Sequence, residues 1–251
     1  MDISITGAQV YFTIPIFGGI PITATLVNTW LIMAAITGLC IWLTKDLKVH
    51  ATSKKQIVAE FLVKAAYGLV EGNMGKRFTF FTPFIATLIS FLAVSNLSSL
   101  IGMYPPTAEL STELAFALLV FVIITYYKFQ DGPVGYVKGL LDPIPILLPF
   151  NIISEISTPV SMAFRHFGNI ASGSVISALI YAALTAANTA LFGWLPGVLG
   201  DLLGSIPFLT VGIPAVFSIY FDIFSGCLQA YIFTMLTMMY IASAAGDEAA
   251  E

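Results

Sequence analysis

Residues 26–44 read LVNTWLIMAAITGLCIWLT, nineteen residues without a charge. As a helix rising 1.5 Å per residue the run covers about 28 Å, close to the hydrocarbon thickness of a bilayer. Lipid offers the backbone no hydrogen-bond partner, so such a run spans a membrane as a helix, which satisfies its own N–H and C=O groups. The rest of the chain repeats the pattern. Of 251 residues 58% are hydrophobic and only 10% charged, against about 25% charged in a soluble domain. The fold class expected is therefore an all-α polytopic membrane protein, one domain of about five crossings. The net charge of −4 argues against nucleic acid as a partner. Cys40 and Cys227 both lie in apolar runs, offer no metal-ligand spacing and read as small buried hydrophobes. No cofactor is implied.

After an outer N-terminal segment, 1–25, comes span one, 26–44. Lys and Arg are absent before Lys45. The first run is thus read as a retained span rather than a cleaved signal, and no Arg-rich transit segment is present. That points to a bacterial chain or one made inside an organelle. Residues 54–73, KKQIVAEFLVKAAYGLVEGN, place Ile57, Phe61 and Ala65 or Leu69 on one face, away from Lys55, Glu60, Lys64 and Glu71. This spacing predicts a cytoplasmic amphipathic helix on the membrane surface. Span two covers 78–101 and span three 114–129. Pro143, Pro145 and Pro149 break the entry to a 146–191 stretch. That stretch and the last, 206–245, are each about twice a normal span, and are expected as long tilted helices or bent hairpins. The tail, 246–251, is acidic. Nine of the ten basic residues lie in the connections after spans one and three, and none in the loops 102–113 and 192–205. By the positive-inside rule the N-terminus is outside and the C-terminus cytoplasmic.

The tenth basic residue is Arg165, inside an apolar stretch. An arginine at the bilayer centre costs about 2.5–3.5 kcal/mol on insertion scales, so it faces water, a counter-charge or another subunit. The bland alternative is an ion pair with Glu155 or Asp222 inside the bundle, and buried pairs stabilise weakly. Ser161, Arg165, Asn169 and Ser172 share helical spacing, and Gly168 and Gly173 beside them allow another helix close approach. In VFSIYFDIFSGCLQAYIF, Ser218, Asp222, Ser225 and Gln229 recur at i, i+4, i+7 and i+11, one polar stripe on a greasy helix. Serines alone would read as interhelical hydrogen-bond glue; an Asp among them does not. Two such helices look like walls of a path for small ions. The chain carries no nucleotide cradle, nucleophile–base pair or metal-ligand set, so on its own it is not an enzyme.

RHFGN at 165–169 is similar to the Arg-Leu-Phe-Gly-Asn signature of subunit a of F-type ATP synthases. DPIPILLPFNIISEISTPVSMAFRHFGNIASG, 142–173, resembles that family's approach to its essential arginine. SNLSSLIGMYPPTAELST, 95–112, resembles its Pro-Pro-Thr-Ala loop, and LQAYIFTMLTMMYIA, 228–242, its last helix. Three matches in order span most of the chain. The resemblance implies a static, non-catalytic subunit with two offset half-channels. Through them H+ or Na+ reaches and leaves the mid-membrane carboxylates of a rotating ring of hairpin proteolipids. It also implies a peripheral-stalk subunit b as partner and a bacterial plasma membrane as location. Arg165 would be the arginine between the half-channels, Gln229 the glutamine facing it, Asn169 the signature asparagine, and Asn96 the asparagine near the outer half-channel.

The sequence also departs from the family. His166 replaces the usual leucine and reads as a ring filling space, with a titratable neighbour as the alternative. Ser174 stands where many bacterial members carry a Glu, and Asp222 where many carry a His. Asp222 is then expected as the main protonatable group of the outer half-channel, and Glu155 as a candidate for the inner one. Glu109 and Glu113 read as solvated charges at the outer mouth. A secondary transporter with a midplane Arg/Asp site is the competing reading. It predicts internal repeats, which the two long stretches do not show. A structural scaffold leaves Arg165 and Asp222 unexplained.

Overall fold

The computed structural model describes residues 8–15, 19–45, 47–49, 53–130, 132–141, 144–192 and 219–245. Among the described residues seven α-helices carry the fold: α1 (Ala24–Thr44), α2 (Lys54–Met74), α3 (Thr82–Leu97), α4 (Leu110–Gln130), α5 (Pro133–Leu141), α6 (Leu148–Phe192) and α7 (Gly226–Ala244). Five segments among the described residues are long and apolar enough to cross a membrane, and α2 and α5 are not among them. The chain is an all-helical polytopic membrane protein.

One element was not legible beforehand. Strands Val10–Ile14 (β1) and Ile20–Thr23 (β2) pair antiparallel, with an irregularity between Val10 and Phe12. The hairpin leads straight into α1. Ala24 N–H donates to the Gln9 carbonyl at 2.8 Å, and the Thr23 hydroxyl accepts from Leu26 N–H, capping the helix. Ser53 caps α2 in the same way through Gln56 N–H. Gly75, at φ +84°, ends α2 by donating to the Glu71 carbonyl, a conformation that favours glycine.

Helix α1 is peripheral; only Ala24, Thr25 and Ile32 are buried. The interior lies between α3, α4, α6 and α7. Leu88, Phe91 and Leu92 of α3 meet Val120 of α4, Met162 of α6 and Ala230 and Phe233 of α7. A second cluster joins Val70 and Met74 of α2, through Phe78 and Ile85, to Met238 and Ile241 of α7. Lipid tails are as apolar as these side chains, so what holds the helices together is close packing and interhelical hydrogen bonds. Helix α2 is docked on the core by its C-terminal end, while at its N-terminal end Lys55 lies over the Trp42 ring of α1, 4.0 Å from the centroid. Ile57 and Phe61, on the apolar face read from the sequence, are 54% and 68% exposed. Cys40 and Cys227 are free and exposed on their helices, not buried as their apolar surroundings suggested.

Helix α6 is one unbroken helix of 45 residues, with Pro159 inside it. The proline ring withholds one N–H from the ladder, a local cause for bending. The other long stretch divides differently. Its residues 206–218 lie outside the described residues. Ile219–Ser225 then form a π-helical segment, and α7 follows. This corrects the single polar stripe expected from i, i+4, i+7 and i+11. A wider turn advances fewer degrees per residue, so an α-helical face does not continue through it. Ser218 lies outside the described residues.

Candidate functional site

Arg165 stands on the surface of α6 and is exposed. Among the described residues it makes no ion pair, and Glu155 is paired elsewhere. Nothing in the described bundle therefore offsets its charge, which disposes of the bundle-internal pair with Glu155. Gly168, one turn on, is equally open: a Cβ there would meet nothing within 4 Å. Among the described residues nothing takes up the close helix approach that this glycine permits. Beside Arg165 an open groove of about 390 Å³ runs along α6, lined by Ser154, Ser157, Thr158 and Ser161, with Leu236 and Tyr240 of α7 opposite. Hydroxyls at these positions give a polar floor between greasy walls.

At the α5 end of that groove sits Glu155. Lys128 of α4 lies 2.6 Å from Oε1, and the Tyr136 hydroxyl of α5 donates to Oε2. Burial, and then the hydrogen bond to Glu155, push the Tyr136 phenol up to about 12, so Tyr136 stays a donor at physiological pH. A second cavity, lined by Lys128, Tyr136, Asn151 and Glu155, shares Ser154 with the groove. The structure thus brings Glu155, the hydroxyl row and Arg165 along one side of α6.

The opposite side of α6 is built differently. His166 is fully buried, its ring against Phe233 with centroids 5.6 Å apart. Its Nδ1 lies 3.0 Å from Oε2 of Glu113 in the first turn of α4. Glu113 is fully buried as well, which corrects its reading as a solvated loop charge. The helix starts at Leu110, earlier than hydropathy suggests, and its first turn points the carboxylate into the bundle. The contact has the distance of an ion pair but not the alignment of a hydrogen bond. Nδ1 and both Glu113 oxygens therefore lack an aligned partner. The sequence placed Glu113 at the outer mouth but gave no sign of its burial; an acidic residue four places after Glu109 reads as loop polarity.

Asn96 of α3 completes this interior. Its amide nitrogen donates to the Gly226 carbonyl at 2.7 Å and lies 3.2 Å from His166 Nε2, while its oxygen accepts from Thr107 Oγ1 at 2.6 Å. Gly226 opens α7 where the backbones come close; a Cβ there would sit 3.1 Å from Asn96 Cβ. Gly226→Val is expected to push Asn96 off this carbonyl and lower the stability of the solubilised protein by about 1–3 kcal/mol, read as a lower thermal midpoint. Ser98 and Gln229 are also buried at this level. No hydrogen bond or ion pair joins Gln229 to Arg165.

Asn169, further along α6, exchanges hydrogen bonds with Ser225 at 2.8 and 3.1 Å, tying α6 to the end of the π-helical segment. Asp222, three residues earlier in that segment, is half-buried and has no ion pair among the described residues. Ser174 lies on α6, and its side chain is outside the described residues.

A helical membrane bundle with an intramembrane arginine that has no ion pair among the described residues, a polar groove leading to it and a buried acid–histidine pair near it has the features of an ion-handling membrane subunit. The relatives of the chain give the family. Residues 26–242 match the model of the ATP synthase A chain family. Similar proteins include ATP synthase subunit a 2 of Bradyrhizobium sp., 34% identical over 92% of this chain and 93% of the relative. The sodium-ion-specific ATP synthase subunit a of Propionigenium modestum is 32% identical over 91% of this chain and 76% of its own length. ATP synthase subunit a of Moorella thermoacetica is 33% identical over 90% and 92%. The chain belongs to the ATP synthase subunit a family.

Proposed function

We propose that the chain is the static ion-path subunit of a rotary F-type ATP synthase in a bacterial plasma membrane. It catalyses no bond change itself. Two half-channels lead ions to and from the carboxylates of a rotating proteolipid ring, with Arg165 between them. The observation that carries this reading is Arg165 itself, exposed and without an ion pair among the described residues. A guanidinium in this position favours the ionised form of a passing carboxylate, and its charge bars cations from crossing directly between half-channels. The open side of Gly168 supports a ring helix packing there.

The groove from Glu155 to Arg165 is the inner half-channel. Asp222, Asn169, Ser225 and Asn96 belong to the outer one, with Ser174 and Ser218 as further lining, and Gln229 beside the arginine. The basic connections near α2 and α5 support a cytoplasmic C-terminus. The peripheral-stalk subunit b and the bilayer are the remaining partners. The ion is H+ or Na+; one relative is sodium-specific by name.

Isolation from native membranes tests the assembly. The chain is expected to co-purify with a ring of small hairpin proteolipids, each holding one intramembrane carboxylate. Recovery free of any ring, with solute transport by the reconstituted chain alone, would favour the secondary transporter instead.

A further inference from the structure

We propose that Glu113 is a proton-carrying residue of the outer half-channel and that His166 positions it. This rests on the ion-path reading above. Glu113 and His166 are both fully buried and 3.0 Å apart, and among the described residues the other buried polar side chains are all non-ionisable. Ionisable side chains inside a membrane protein mark ion and proton routes by default.

The hydrogen bonds fix the state of the histidine. A backbone carbonyl only accepts, so the Asn96 group facing Gly226 is the amide nitrogen, and its oxygen takes the Thr107 hydroxyl. The same nitrogen faces His166 Nε2. Nε2 must then be the acceptor, which puts the ring's proton on Nδ1, on the side of Glu113. A doubly protonated ring would set N–H against N–H at Asn96. In that tautomer the ring turns Nδ1–H toward the carboxylate, and Glu113 is the proton carrier of the pair.

The chain places this acid immediately inside the outer loop. The loop is itself tied down, since the Tyr104 carbonyl accepts from Asn28 of α1 at 2.8 Å. From α3 the pair meets Asn96, from the 106–108 turn Thr107 through Asn96, and from α7 Phe233. Arg165, next to His166 and about 100° around α6, is exposed and not buried with the pair, and Glu109 one turn before Glu113 is only half-buried. Among the described residues no third ionisable side chain forms an ion pair with either partner. In each passage Glu113 gains one O–H bond as the donor on the outer side loses one. It then gives that proton to the next acceptor toward the ring and returns to its starting state. Asp222 acts in series with it, so loss of either stops the flow.

The test uses the intact complex in inverted vesicles, with ATP-driven H+ and Na+ movement recorded from pH 6 to 9. Glu113→Gln keeps an oxygen for Nδ1–H but cannot carry a proton. It is expected to lower proton uptake at least tenfold at every pH, with assembly intact, and Glu113→Asp to recover part of it. The double variant Glu113→Leu/His166→Leu removes both ionisable partners together and orphans neither, while the Asn96 amide keeps its bond to the Gly226 carbonyl; it is expected to assemble and to be equally defective. Wild-type uptake in either assembled variant overturns the proposal, as does failure of both to assemble, which would make the pair a structural latch. Sodium movement without proton movement in the wild type also overturns it, while leaving the ion-path reading intact. Failure of that reading shows separately, in undiminished transport by Arg165→Ala.

Discussion

Arg165→Lys is expected to reduce ATP-driven ion transport to a few per cent of wild type, although the charge is kept. The guanidinium is planar, holds its charge under all conditions and offers five donors over a broad front. A partner that slides past can exchange one N–H for the next without a moment of bare charge. The lysine ammonium is a compact point charge on a flexible stem and loses its proton more readily when desolvated. Because Arg165 stands exposed with no ion pair among the described residues, the substitution breaks no ion pair there, and assembly is expected to be normal. Retention of half the wild-type rate by Lys would mean that charge alone suffices.

Asp222→Asn is expected to lower proton transport at least tenfold. Asn has the shape of Asp and loses only the ability to take up a proton; positioned proton transfer typically contributes ~10²–10⁴-fold. Asp222 is half-buried in the π-helical segment Ile219–Ser225, where a wider turn re-aims side chains relative to α7. It sits three residues before Ser225, which binds Asn169 of α6. The variant's uptake, measured beside that of wild type at matched assembly, decides this; equal rates would remove Asp222 from the path.

The spans were legible because nothing else in lipid accommodates an uncharged run of about twenty residues. Arg165 was legible for the converse reason: a lone guanidinium in such a run demands an explanation. Asn169 and Ser225 could be named from helical spacing, but not their mutual hydrogen bonds. The burial of Glu113 escaped because periodicity cannot tell the first turn of a helix from the loop before it when Ser, Thr and Glu occur in both. Its burial depends on α6 presenting His166 from a site more than fifty residues away. The π-helical segment was illegible for a related reason. Spacing arguments assume 3.6 residues per turn, and the sequence Ile219–Ser225 carries no Pro or Gly to warn of a change. The hairpin before α1 rests on a β1–β2 register across a Gly19 at φ +95°, and its alternation is too short to read.

The most direct test of the central claim is ATP-driven ion uptake in inverted membrane vesicles by Arg165→Ala, beside wild type and with equal amounts of assembled complex. Proton uptake is followed by a pH-sensitive dye and sodium by tracer. The account predicts uptake in wild type and none in the variant while the complex stays intact. Uptake at the wild-type rate in the variant would make Arg165 a structural charge and contradict the account.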